Sequence, residues 1–336
     1  MRILVIGDIH LHNQIPGCLE AQVDAIKRMV DESAPTEHII FLGDIFVRRR
    51  PAPRTLLAFM GILEYCTTKD IEVHVIRGNH DAESKADDGV TVLQVFENMH
   101  NVHIYNHMSG KNIEGHQFHF LPHYENEETV RACLSEINDG ILFAHVGFDG
   151  CLNAAGDYDF NIPPSEFKVP TFLGHIHKFA KKDNITVLGT PYTTGFYESG
   201  KDSYYMVLDY GDENIPNVEF IKTNFGIRHV TLGLEELHLH KEDLEDPNYF
   251  TLLRVFLRPL DEGNTPELIK DIINDYGVRW VDLKFRSVIH QKDELSNYES
   301  DVPLFQLNEV IIEDFVREHG THLPYEAIMA GLKELE

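Results

Sequence analysis

The chain has 336 residues, 43% hydrophobic and 25% charged, which suits one large domain or two to three smaller ones with ample core. A net charge of −26 argues against a broad phosphate-binding surface, and no apolar run approaches the ~18–20 residues that span a bilayer. Cys18, Cys66, Cys133 and Cys151 form no CxxC pair or disulfide-framework spacing, and a charge follows too soon after Met1 for a signal peptide, so a cytoplasmic protein is expected.

Arg2 to Ile6 is a short apolar run of strand type, closed by Gly7-Asp8-Ile9-His10. On an extended segment Asp8 and His10 point to one face, as two ligands of one cation must. Ile15, Leu19, Val23, Ile26 and Val30 then recur at helical steps, and Pro35 ends that helix. His38 to Leu42 reads as a second strand, closed by Gly43-Asp44. A helix over about residues 54–66 turns Leu56, Phe59, Met60 and Leu63 inward. The third apolar run, Ile71 to Ile76, ends in Arg77-Gly78-Asn79-His80-Asp81. An amide, an imidazole and a carboxylate stand together there behind a glycine. Average composition gives a chance copy of Gly-Asn-His-Asp in roughly one in a thousand chains of this length. Strands alternating with helices predict an α/β domain whose ligands gather beyond the carboxyl ends of the strands.

Further along, the pattern predicts a helix over 90–99, strands over 102–105 and around Phe118 and Phe120, and a polar helix over about 126–137. Ile141 to Ala144 is apolar and ends at His145. Thr171-Phe172-Leu173 ends at Gly174-His175-Ile176-His177, and Ile185 to Leu188 leads into Gly189-Thr190-Pro191-Tyr192. The stretch 203–221 is β-rich and closes the first domain.

Five strand ends thus carry Asp8/His10, Asp44, Asn79/His80, His145 and His175/His177. Singly each has an ordinary explanation, since Gly-Asp after a strand is usually turn chemistry. Five at one structural station point to a metal centre. Asp, His and Asn without thiolate suit Mn²⁺, Fe or Zn²⁺ rather than an all-oxygen Mg²⁺ or Ca²⁺ cage, and there are ligands enough for two ions. Two metals about 3.5–4 Å apart can share a hydroxide and clamp a phosphoryl group during in-line attack. Asp44, the lone acidic residue at its strand end, is the best candidate to bridge them.

The ordered set Asp8-x-His10, Gly43-Asp44, Gly78-Asn79-His80-Asp81, His145 and Gly174-His175-x-His177 resembles the calcineurin-like metallophosphoesterase superfamily. The resemblance implies a four-layered α/β/β/α sandwich with a two-metal site. Asp8, His10 and His177 would hold one metal, Asn79, His145 and His175 the other, and Asp44 would bridge. His80 would be the catalytic histidine beside the scissile phosphate, with Asp81 orienting its ring. Gly43-Asp44-Ile45-Phe46 followed by Arg and Pro, and Gly189-Thr190-Pro191, are similar to the SbcD-type nucleases of DNA double-strand-break repair, including their bacteriophage recombination endonuclease subunit. The motifs cover roughly residues 1–228. One position departs: where that family usually has a histidine or aspartate three residues after the bridging aspartate, this chain has Val47, which leaves the implied metal site intact but counts against double-strand exonuclease action.

Beyond residue 228 the ligand pattern stops. A strand over 249–257, a helix from Thr265-Pro266 to Gly277 and a strand over 279–288 form a β-α-β unit, which resembles the family's capping domain and sets a capping domain at 229–292. Residues 293–336 hold eleven acids against two bases, so they are no nucleic-acid arm. Leu304, Leu307, Ile311 and Phe315 make a helical stripe there, and the resemblance implies a helical tail that grips an SMC-like ATPase. Arg48, Arg49 and Arg50, just after Asp44, are local exceptions to the negative charge and candidates for substrate phosphate. The function implied is a Mn²⁺-dependent two-metal DNA nuclease, with DNA, an SMC-like ATPase and a second copy of the chain as partners. A small-molecule or cyclic-nucleotide phosphodiesterase would use the same ligands, and a binding module with a decayed site is opposed by the full ligand set.

Overall fold

A run of consecutive apolar strand positions is stable only between two covering layers, and β1 (Arg2–Ile6) has such a run from Ile3 to Ile6. Its Ile3 and Val5 join one core cluster, while Leu4 and Ile6 join another on the opposite face. The computed structural model describes residues 1–152, 160–211, 215–258 and 265–285. The chain divides into two compact units, residues 1–255 with 264–283, and residues 256–263 with 284–336; the architecture below is that of the first.

The first sheet has the order β12-β11-β1-β2-β3-β4. In it β1, β2 (His38–Phe41), β3 (Glu72–Ile76) and β4 (Val102–Tyr105) run parallel, and β11 (Tyr204–Asp209) and β12 (Asn217–Lys222) add antiparallel strands. The second has the order β5-β6-β7-β8-β10-β9. Here β6 (His116–Leu121), β7 (Ile141–His145), β8 (Thr171–Gly174) and β10 (Ile185–Val187) are parallel, between antiparallel β5 (Ser109–Ile113) and β9 (Ala180–Lys182). Ile40, Leu42, Phe118, Phe120, Phe143, Phe172 and Met206 fill the space between the sheets. Outside the first sheet α1 (Cys18–Glu32) and α2 (Pro53–Thr68) cover a second cluster, and α3 (Glu127–Glu136) covers a third outside the other sheet. The layers are α/β/β/α, as the resemblance implied. Crossovers that keep strands parallel bring their carboxyl ends to one edge.

This unit also holds β13 (Gly226–Gly233) and, as far as residues 255 and 283, β14 (Tyr249–Leu257) and β15 (Trp280–Phe285), which pair as a three-stranded sheet, with α4 (Lys241–Leu244) and α5 (Thr265–Tyr276). Leu252 and Trp280 join the α1/α2 core, so the sheet shares hydrophobic interior with the first layer. No helix among the described residues is long and apolar enough to cross a membrane. The helical tail expected at 293–336 lies outside the described residues.

Two expectations need correcting, and two strands were missed. Helix α1 starts at Cys18 rather than near Ile15, because Gly17 ahead of it adopts φ +80. The helix expected over 90–99 is a five-residue 3₁₀ turn, Val92–Phe96. The backbone leading into it is already committed: Val90 O accepts from Glu83 N, and Val92 N and the Thr91 hydroxyl donate to Asp81 O. Strands β5 and β9 escaped notice as polar edge strands with little buried apolar surface.

The aromatic layer between the sheets yields a prediction. Phe143 is fully buried with its ring 5.9, 5.9 and 5.7 Å from those of Phe118, Phe120 and Phe172. Phe143→Ala is expected to cost about 3–5 kcal/mol of stability, read as a shifted midpoint in urea denaturation at unchanged m-value.

Candidate metal centre

Five strand ends meet at this edge. Asp8 and His10 follow β1, Asp44 follows β2, Asn79 and His80 follow β3, His145 closes β7, and His175 and His177 follow β8. The turns are tight enough that three non-glycine residues, His10 (φ 43), Asp44 (φ 45) and His175 (φ 76), take the left-handed conformation. Two glycines admit the close approach. A Cβ on Gly78 would collide with the Asp44 carboxylate and amide, and one on Gly174 would lie 2.5 Å from Asp8 Oδ1. The loops are tied by His10 N to Asp44 O at 3.0 Å and Leu11 N to Ile45 O at 2.8 Å.

Asp8, His10, Asp44 and His145 form a buried floor, and Asn79, His80, His175 and His177 a partly buried rim. Ligand atoms of Asp8, His10 and His177 lie within 4.8 Å of one another, as do those of Asp8, Asp44 and His145, and of His10, Asp44 and His80. Asn79 Oδ1 is 3.1 Å from His145 Nε2 and 3.0 Å from His175 Nδ1. Asp44 stands between the groups, with Oδ1 3.4 Å from His145 Nε2 and Oδ2 3.7 Å from His10 Nε2. All seven expected ligands therefore gather at one place.

The donor chemistry fits cations. His145 Nδ1 donates to Leu42 O at 2.8 Å, and burial, then His175, hold its pKa well below the usual imidazole range. A neutral ring protonated on Nδ1 presents a lone pair at Nε2. That lone pair faces two oxygens, of Asn79 and Asp44, with no proton to share. Asp8 Oδ1 is buried without a hydrogen-bond partner. Burial first, then the charge of Asp44, drives the Asp8 carboxyl well above the ordinary range and the Asp81 carboxyl up to about 7. Burial first, then His177, lowers His10. Acceptors converging on one another in a dry site are stable when a divalent ion lies among them.

Asp81 does not orient His80, contrary to expectation. Its carboxylate accepts from the backbone amides of Ile45, Phe46 and Gly78, at 3.3, 3.2 and 3.0 Å. Adjacent side chains on an extended turn diverge, so Asp81 points inward and braces the Asp44 loop. The His80 ring is held by the main chain of Val47, whose carbonyl lies 2.8 Å from Nδ1. The His80 amide donates to Asp44 Oδ1 at 2.9 Å. Arg49 is engaged in a clamp with Glu125 and the carbonyls of Ala82 and Ser84, whereas Arg48 and Arg50 are exposed.

Two neighbours went unnoticed in the sequence. His123, past the end of β6, has its ring 5.2 Å from that of His175; a histidine just beyond a strand was a signal available for it. Glu198, buried, lies against His177 and had no signal.

The fold and this edge are those of a phosphoesterase. Residues 1–189, more than half of the chain, match the calcineurin-like phosphoesterase family, and the chain belongs to it. Members of that family bind divalent metals. Among individual proteins, the chain is similar to exonuclease subunit 1 of Enterobacteria phage T4, 24% identical over 238 residues that cover 67% of this chain and 68% of the relative.

With burial lowering the pKa of His10 and His145 and raising that of Asp8 and Asp81, carboxyls rather than imidazoles are the groups that give up protons to an incoming cation. Mn²⁺ binding is expected to release protons at pH 6, below the Asp81 value of about 7, and fewer as the pH rises past it. Calorimetry in buffers of different ionisation enthalpy reads this directly; heat independent of buffer at pH 6 contradicts it.

Proposed function

We propose that the chain is a Mn²⁺-dependent two-metal DNA nuclease, hydrolysing backbone phosphodiesters as the nuclease subunit of a complex with an SMC-like ATPase. One observation carries the reading: Asp44 turns one carboxylate oxygen toward each of two ligand groups. Asp8, His10 and His177 make one group and Asn79, His145 and His175 the other. Two divalent ions held there supply Lewis-acid stabilisation of phosphoryl oxygens and a more acidic water. The nitrogen-rich donor set favours Mn²⁺ over Mg²⁺.

The chain's own residues supply the rest. With Nδ1 turned to the Val47 carbonyl, His80 offers Nε2 to a phosphate at the rim, to stabilise developing charge or protonate the leaving oxygen. Asp81 acts at one remove, by fixing the amides of residues 45, 46 and 78. Arg48 and Arg50 provide exposed positive charge on the Asp44 loop, where a chain of net charge −26 needs it for an anionic substrate. The phage relative is by name an exonuclease and a subunit, which supports a nucleic-acid substrate and an assembly. Residues 229–292 are taken as the capping domain, and residues 293–336 as the segment that binds the ATPase. A small-molecule phosphodiesterase is the competing reading, with the same ligands.

Two variants test the assignment. Asp44→Asn should lose pairing of the two ions and at least 10²-fold in the rate of DNA hydrolysis with Mn²⁺; turnover at the parental rate removes the bridging role. His80→Ala should keep both ions but lose about 10²–10⁴-fold in rate. Assayed beside DNA, a small diester such as bis-p-nitrophenyl phosphate turned over faster than DNA would favour the competing reading.

A further inference from the structure

Glu198 has no part in the reading above, yet its surroundings are those of a working group. It is 2% exposed, in the 3₁₀ turn Phe196–Glu198, and its Oε1 lies 2.7 Å from His177 Nδ1. Oε2 accepts from Thr194 N at 2.6 Å, and the Thr194 hydroxyl lies 3.2 and 3.3 Å from the two oxygens. No lysine or arginine among the described residues forms an ion pair with it. A carboxylate this buried is costly unless a positive charge compensates it.

That charge has a place beyond the imidazole. A neutral His177 that donates from Nδ1 to Glu198 presents the lone pair of Nε2, which faces His10 Nε2 at 3.0 Å and lies 3.8 Å from Asp8 Oδ2. A carboxylate behind a histidine fixes its tautomer and orientation and makes it a stronger ligand.

The turn is held from its other side by the three-stranded sheet. The Arg254 guanidinium lies 4.2 Å from the Phe196 ring centroid, His229 meets that ring edge-on at 4.9 Å, and Trp280 lies 6.1 Å away. Next along the chain, the Ser199 hydroxyl accepts from Thr231 N at 2.9 Å. Glu198 is therefore set between a ligand of the metal edge and strands β13, β14 and β15.

We propose that Glu198 is the positioning residue of His177, and that the three-stranded sheet bears on the Asp8/His10/His177 cation subsite through the Phe196–Glu198 turn. The inference rests on the two-metal reading. The test is Mn²⁺ titration of the full-length protein by calorimetry, with electron paramagnetic resonance on the same samples, for the parent, Glu198→Gln, Glu198→Ala and Phe196→Ala. The parent should bind two ions with a spin-coupled signal; a parent that binds fewer than two overturns the two-metal reading itself. Glu198→Gln, nearly isosteric, should bind one ion about 10–100-fold more weakly and the other as the parent does, with an uncoupled Mn²⁺ signal at one equivalent. Its melting temperature in EDTA should match the parent's, which separates the role from simple bracing of the loop. Glu198→Ala should weaken the same subsite at least as far, and Phe196→Ala should weaken it with the carboxylate still present. Two parental affinities in Glu198→Gln overturn the positioning role. Parental affinities in a folded Phe196→Ala overturn the link to the sheet, and if that variant does not fold, Phe196→Leu is read by the same criterion.

Discussion

The carboxylates of Asp8, Asp44 and Asp81 are sealed into one floor, and the surrounding edge is arranged around their mutual repulsion. Each is restrained by main-chain amides from another loop: Asp8 by His175 N, Asp44 by His80 N, and Asp81 by the amides of Ile45 and Phe46, with Gly78 N of its own loop adding a third bond. These bonds knit the strand-end loops together while leaving Asp8 Oδ1 without a partner. Amides reduce the repulsion without neutralising it. What remains is a cluster of buried carboxyls, those of Asp8 and Asp81 held above their ordinary pKa range, facing imidazole lone pairs, which favours divalent ions that displace the carboxyl protons.

The site is also divided between sheets. The first supplies Asp8, His10, Asp44, Asn79 and His80, and the second supplies His145, His175 and His177. Neither sheet alone carries all of either proposed ligand group, Asp8/His10/His177 or Asn79/His145/His175. The aromatic layer of Phe118, Phe120, Phe143 and Phe172 therefore sets the register of the two half-sites as well as the stability of the sandwich. Packing errors of an ångström there would be carried to the ligands, because dense interiors transmit displacement rather than absorb it.

The parts legible in the sequence were those in which residue type and strand period coincide. Asp8, Asp44, Asn79, His145 and His175 each stood after an apolar run, and the runs gave the strands that carry them. What escaped was of two kinds. Polar edge strands such as β5 and β9 bury too little to leave an apolar pattern. Contacts made by the main chain leave no residue signature at all: nothing in Val47 announces a carbonyl against His80, and the adjacency of His80 and Asp81 suggested a pairing that the turn prevents. Glu198 belongs with these, since its partner His177 is 21 residues away with no motif between to align them.

The bond from His80 to Val47 separates two properties that a side-chain partner would have joined. A carbonyl has no proton to lose and cannot be mutated away, so the orientation of His80 does not depend on pH through its partner or on which residue occupies position 47. The side chain there is left free to vary. A polar or titratable group can enter or leave position 47 without unseating the histidine, which makes it a place where related chains can diverge while the orientation of the ring stays fixed.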